Sequence, residues 1–260
     1  MELVLARLRR APYPTRLTVV GLVASAIALA VFVRPPVLQD AGYFAHADRR
    51  AFLGIPNALD VLSNLPFAAV AWLGLRRVRA LGGPRRTAAR IVFVAVGAVA
   101  LGSSAYHLAP SPFGLLVDRL PIALAFAALF AWILGDRLGE RWTALALAPL
   151  LALSALTLWI WYGSGALDGD LRPYALVQAV PLACVPFLIA LFPGELDDRR
   201  LALAFALYLL AKVCEQLDAR IFALGEIVSG HTLKHLLAAA ACAFLAPAPG
   251  AFERGRGVHA

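Results

Sequence analysis

Apolar residues run along this chain in blocks of about twenty, broken by short gaps in which the charges collect. Eight blocks stand out, at about 17–33, 57–75, 90–108, 117–135, 142–161, 173–192, 200–218 and 229–246. Each is near the roughly 20 residues an α-helix needs to cross a hydrocarbon core. The pattern predicts an all-α polytopic membrane protein, because a helix satisfies its own backbone polar groups in lipid. The seventh block is the weakest, since Lys212, Glu215 and Asp218 interrupt it. It is retained because Leu201 to Ala211 carries no charge and the eighth block needs a return path. No internal repeat or low-complexity segment appears.

Composition strengthens that reading. Of 260 residues, 61% are hydrophobic and 15% charged, and the mean hydropathy is +0.77. A soluble domain of this length must place more polar groups on its surface. The net charge of +8 is no sign of a nucleic-acid partner, because the basic residues sit in gaps between apolar blocks. Arg7, Arg9, Arg10 and Arg16 precede block one, and Arg76, Arg77, Arg79, Arg85, Arg86 and Arg90 follow block two. Arg137 and Arg141 follow block four, Arg199 and Arg200 block six, and Arg254 and Arg256 block eight. Gaps of the other parity are poorer in cations, with Arg34, Arg49 and Arg50 as the main exception. The positive-inside rule then places both termini in the cytoplasm. The first block reads as a retained helix rather than a signal peptide, because Arg34-Pro35-Pro36 follows it instead of a small-residue cleavage pattern. Cys184, Cys214 and Cys242 fall inside apolar blocks, form no CxxC pair and read as packing residues.

The candidate chemistry lies at the predicted outer ends of the blocks. Ser103 and His107 are four apart and share a helix face, as do His231 and His235. Two histidines at this spacing can aim both rings at one ion, and a third from another helix completes the three protein ligands usual for catalytic zinc. Water on such a metal becomes acidic enough to supply hydroxide near neutral pH. The plainer alternative is that the rings sit at headgroup level, although ionisable residues within spans usually face inward and serve function. Asp118, opening block four, suits either a first-turn carboxylate at the helix dipole or a general base. Ser103 suits either a bond back to its own helix or a donor to an oxyanion; its spacing from His107 favours it over Ser104. Asn57, Asp60, Ser63 and Asn64 form a polar stripe that suits helix–helix hydrogen bonding as well as a site. Glu215 and Asp218 are expected to pair with Lys212, Arg220 or Lys234, and His46 and His259 to be solvated.

Ser103-x3-His107, Asp118 eleven residues later, and His231-x3-His235 together resemble the alkaline ceramidase family. That family belongs to a superfamily of seven-span membrane hydrolases that includes adiponectin-receptor-like proteins. Asp60-Val61-Leu62-Ser63-Asn64-Leu65-Pro66 is similar to its first core span. The resemblance implies a seven-helix bundle over residues 45–246, with an extra transmembrane helix and outer loop in residues 1–44 and a cytoplasmic tail at 247–260. It implies zinc on His107, His231 and His235, Ser103 at the oxyanion and Asp118 activating water. The implied reaction is hydrolysis of the amide bond of a ceramide-like membrane lipid. One stretch departs from the family. Asp48-Arg49-Arg50-Ala51-Phe52-Leu53-Gly54-Ile55-Pro56-Asn57 lacks the glutamates and tryptophan of the family's calcium-binding segment, which argues against a calcium site. The alanine- and arginine-rich composition points to a bacterial inner membrane. Two rival readings are a lipid-binding, receptor-like protein braced by structural zinc, and a haem or quinone protein. The last is disfavoured because His231 and His235 share one face and cannot flank a macrocycle.

Overall fold

A computed structural model describes residues 2–247. Every apolar block forms helix, and the polar gaps supply the stops. α1 (Glu2–Arg10) and α2 (Tyr13–Phe32) lead into a long connection holding a single 3-10 turn, Ala41–Phe44. The block at 57–75 is split. α3 (Ala58–Leu62) ends at Ser63, and α4 (Leu65–Arg77) begins afresh with Pro66 in its first turn, where the missing N–H breaks no helix bond. α5 (Gly83–Leu108), α6 (Pro112–Leu138), α7 (Glu140–Gly163) and α8 (Arg172–Leu191) are long. α9 (Asp198–Gln216), the short α10 (Asp218–Phe222) and α11 (Gly230–Leu245) follow. Short polar side chains fix several starts. The Ser111 hydroxyl accepts from the Gly114 N–H at 3.0 Å, and that of Ser229 from Thr232 N–H at 3.0 Å. Asp197 accepts from the Arg199 and Arg200 N–H groups at 2.8 and 3.2 Å.

Among the described residues, six helical stretches are long and apolar enough to cross a membrane: Tyr13–Phe32, Ala58–Ala80, Gly83–Leu108, Pro112–Leu138, Glu140–Gly163 and Arg172–Leu191. α9 carries charges in its first turn and again near its end, and α11 has only 16 residues, so neither meets that measure. Large side chains such as Leu29, Trp72, Leu101, Leu145 and Trp159 point outward. That surface is compatible with lipid and unfavourable in water.

Neighbouring helices pack in chain order from α4 to α7, while α11 closes the bundle against α9 and α4. Phe67, Val92, Phe93, Trp132 and Ala239 join α4, α5, α6 and α11 in one apolar cluster. α2 lies apart. It leans on α8, and Val20 is its one buried residue, packed beside Cys184 and Leu188.

One close approach sets the site. Pro121, within α6, has no N–H to offer the Val117 carbonyl one turn back. Gly102 of α5 lies against that same carbonyl, so near that a Cβ there would come within 2.6 Å of the oxygen. The neighbouring residues Ser103 and Asp118 are thereby drawn together.

The opposite end of α6 is clamped by charge. The fully buried Arg137 side chain pairs with Asp136 at 2.9 Å and Asp198 at 2.7 Å, and donates to the Phe192 and Leu196 carbonyls. Arg200 reaches from α9 to the last carbonyls of α11, including Ala246 at 2.8 Å.

Candidate metal centre

The last turn of α5 and the first turns of α11 converge. His107, His231 and His235 are all buried, and one ring nitrogen from each lies within 4.8 Å of the other two. The Nε2 atoms of His107 and His231 are 3.2 Å apart. Tetrahedral zinc with Zn–N of about 2.0–2.1 Å holds its ligand nitrogens about 3.3 Å apart. The spacing therefore fits one shared ion.

Hydrogen bonds from α3 and its flanking residues turn one of these rings and hold the backbone or neighbours of the other two. The Ser63 hydroxyl donates its one proton to the Asp60 carbonyl at 3.1 Å. Its oxygen must then accept from His235 Nδ1, 2.8 Å away. This leaves His235 Nε2 as an unprotonated lone pair, and that atom is buried with no hydrogen-bond partner among the described residues. A buried acceptor without a partner is costly, and a metal ion is the partner its position suits. The Asp60 carboxylate accepts from Thr232 Oγ1 at 2.7 Å and Ser229 Oγ at 3.2 Å, which ties α3 to the start of α11. Asn57, in a left-handed conformation that asparagine tolerates, donates to the His107 carbonyl at 2.8 Å. The polar stripe thus joins helices and orients ligands at once.

α11 begins where it does because Gly230 permits it. A Cβ at that position would lie 2.2 Å from the Cys214 carbonyl oxygen and 2.7 Å from the Asp218 Cα. Asp218 accepts from the His231 backbone N–H at 2.7 Å rather than pairing with a cation as the sequence suggested. Glu215 does follow expectation, bridging Lys212 and, at 3.2 Å, Lys234. Lys234 Nζ also lies 2.8 Å from His231 Nε2. One nitrogen cannot serve both an ammonium and a metal, so metal binding requires Lys234 to withdraw toward Glu215.

Ser103 and Asp118, both buried, sit beside each other and line one cavity with His235. Asp118 Oδ1 has no hydrogen-bond partner among the described residues. Ser104 turns away, donating to the Val61 carbonyl at 3.2 Å. The cavity holds about 320 Å³ and continues into the bundle between aliphatic and aromatic residues such as Val96, Ile122, Phe126 and Leu129. A polar cluster in an otherwise apolar cavity suits a lipid with one reactive polar group.

His46 corrects the sequence reading. It is not solvated but 6% exposed, its ring centroid 4.6 Å from that of His107. Its Nε2 lies 3.3 Å from His107 Nδ1. Burial, and then the Lys234 charge, push its pKa below the ordinary imidazole value. His46, Asp60 and His107 form a second grouping of metal-ligand spacing that shares His107 with the first. Nothing in the local sequence marks His46, because the loop that carries it reaches the site only through the tertiary fold. His259, Arg254 and Arg256 lie outside the described residues.

In the stretch that departs from the family's calcium-binding segment, Arg50 pairs with Asp48 at 2.7 Å and donates to the Ile227 carbonyl at 3.0 Å and to that of Glu226. The Arg50 hydrogen bond holds the Asp48 carboxyl below its usual range. An arginine thus ties the loop before α3 to the loop before α11. Comparison with protein-family models, curated proteins and solved structures finds no match, so the geometry alone carries the functional argument.

Proposed function

We infer that the chain is a zinc-dependent intramembrane hydrolase that cleaves the amide bond of a ceramide-like lipid. The observation that carries this reading is the lone pair of His235 Nε2, buried without a partner beside His107 and His231, in an apolar cavity that Ser103 and Asp118 also line. When bound, zinc supplies Lewis acidity that makes water a competent nucleophile near neutral pH. Asp118 takes the proton from the attacking water through its free oxygen and returns it to the amine nitrogen as the C–N bond breaks. Ser103 donates its O–H to the oxyanion that develops on the carbonyl. The aliphatic walls hold the acyl chain.

In this reading α9 and α11 complete a seven-helix bundle begun by α3–α4, with α2 an added helix on its flank. The arginine-rich end around Arg137 and Arg200 faces the cytoplasm of a bacterial inner membrane, and the histidines face outward.

Elemental analysis of detergent-purified protein tests the metal. About one zinc per chain is expected, lost in His231→Ala/His235→Ala. A well-folded, never-chelated preparation without zinc sinks the hydrolase reading. A second reading, a lipid-binding protein braced by zinc, draws on the junction of α5 and α11 at the histidines. Asp118→Asn separates the two, since it leaves a brace intact and stops a hydrolase.

A further inference from the structure

Next to Asp118 in α6 stands Arg119, which the reaction above does not use. It is 8% exposed and makes no salt bridge among the described residues. Three aromatic rings cage its guanidinium, whose carbon lies 4.9 Å from the Trp161 ring centroid, 5.3 Å from that of Tyr43 and 5.5 Å from that of Tyr174. Such rings orient a guanidinium and partly offset its desolvation, but they do not neutralise it. Nη1 is buried and has no hydrogen-bond partner among the described residues. The side chain lines the same cavity as Ser103, Asp118 and His235. Asp118 does not satisfy it, for no ion pair joins the two. Glu215 does not either, being engaged by Lys212 and Lys234.

A planar cation held by rings, with a donor left over inside a lipid-sized cavity, is built to receive an oxyanion. Arg119, Lys212 and Lys234 line that cavity against Asp118 and Glu215, so the lining carries one excess positive charge. Arg119 and Asp118 line the same cavity, so an anion held by the one and an amide handled by the other can belong to a single ligand. With the acyl chain along the aliphatic walls, a carboxylate on the amine side is what remains to meet Arg119. We propose that Arg119 recognises a carboxylate on the amine side of the lipid amide, making N-acyl amino acids the substrate class. This rests on the lipid-amide reading above and narrows it.

The test uses binding as well as turnover, so that the two readings fail separately. Thermal-shift titrations of metal-stripped, full-length protein in detergent compare N-oleoylglycine, N-oleoylethanolamine and oleate. N-oleoylglycine is expected to bind about tenfold or more tighter than N-oleoylethanolamine, and Arg119→Gln to abolish the difference while leaving the neutral amide unchanged. Equal binding of the two amides by the wild-type protein overturns the proposal, and needs no variant to fold. An Arg119-dependent shift with oleate alone assigns the cation to a fatty-acid product and also overturns it. With zinc-loaded protein, the same preference is expected in kcat/KM, carried by KM. If the binding preference holds but no amide is cleaved, the hydrolase reading falls while the carboxylate site stands.

Discussion

The two ends of the bundle bury polar groups in opposite ways. At the Arg137 end, buried charges meet their opposites: Arg137 has Asp136 and Asp198, and Arg200 has the free carbonyls that end α11. At the His107 end, like groups meet. Two imidazole nitrogens face each other at 3.2 Å, and a third acceptor, on His235, has no partner. The first arrangement compensates its charges within the chain, while the second leaves His235 Nε2 with no partner of any kind among the described residues. Charge compensation inside the chain suits a structural role, and a buried acceptor left alone suits a ligand site.

Substitutions at each end should separate these roles. The largest loss of stability is expected at the charge-paired end. Arg137→Ala strands Asp136 and should cost about 3–5 kcal/mol, seen as a large fall in Tm, with zinc content per folded chain unchanged. Lost zinc in that variant would mean that the two ends are coupled. Next comes Gly102→Ala, which drives a methyl into the Val117 carbonyl. It should cost about 1–3 kcal/mol and lower hydrolysis beyond the loss of folded protein, because Ser103 and Asp118 are pushed apart. Equal losses of activity and fold would deny them a shared task.

His107→Ala should remove zinc with a smaller change in Tm than Arg137→Ala, the reverse of a structural brace. His46→Phe keeps a ring against His107 but removes the nitrogen that faces His107 Nδ1. It should weaken zinc binding by about ten- to a hundredfold and alter the cobalt-substituted spectrum. An unchanged affinity would reduce His46 to packing. The smallest effect is expected from pH. The Asp48 pKa is lowered on folding, so its pairing with Arg50 stabilises above the ordinary carboxylate pKa and is lost as pH falls through the lowered value. Asp48→Asn should flatten the acid limb of a Tm–pH profile slightly and leave the neutral region alone.

Much of this was legible in the sequence, and the exceptions are instructive. Hydropathy located the helices because bilayer-length apolar blocks leave little choice of structure. It did not separate α3 from α4, since the break depends on Pro66 and on the polar pair Ser63-Asn64 rather than on average hydropathy. The i,i+4 spacings predicted which face His107, Ser103, His231 and His235 share, and the structure brings all four to one place with Asp118. Ser63 was legible only as part of a polar stripe, and His46 was not legible as a site residue at all. His46 reaches the site through a contact between segments distant in sequence, and no local period encodes such a contact. Arg50, one of the three exceptions in the charge count, is held by carbonyls and Asp48.

The hydrogen bonds of α3 bear on when the rings lose their freedom. Ser63 fixes the His235 tautomer, Asp60 anchors Thr232 one residue beyond His231, and Asn57 holds the His107 carbonyl. None of these contacts involves an ion. The entropy of placing the three ligand residues, and of turning the His235 ring, is therefore spent as the chain folds. What is left for an incoming ion to displace is Lys234, which sits against His231 Nε2.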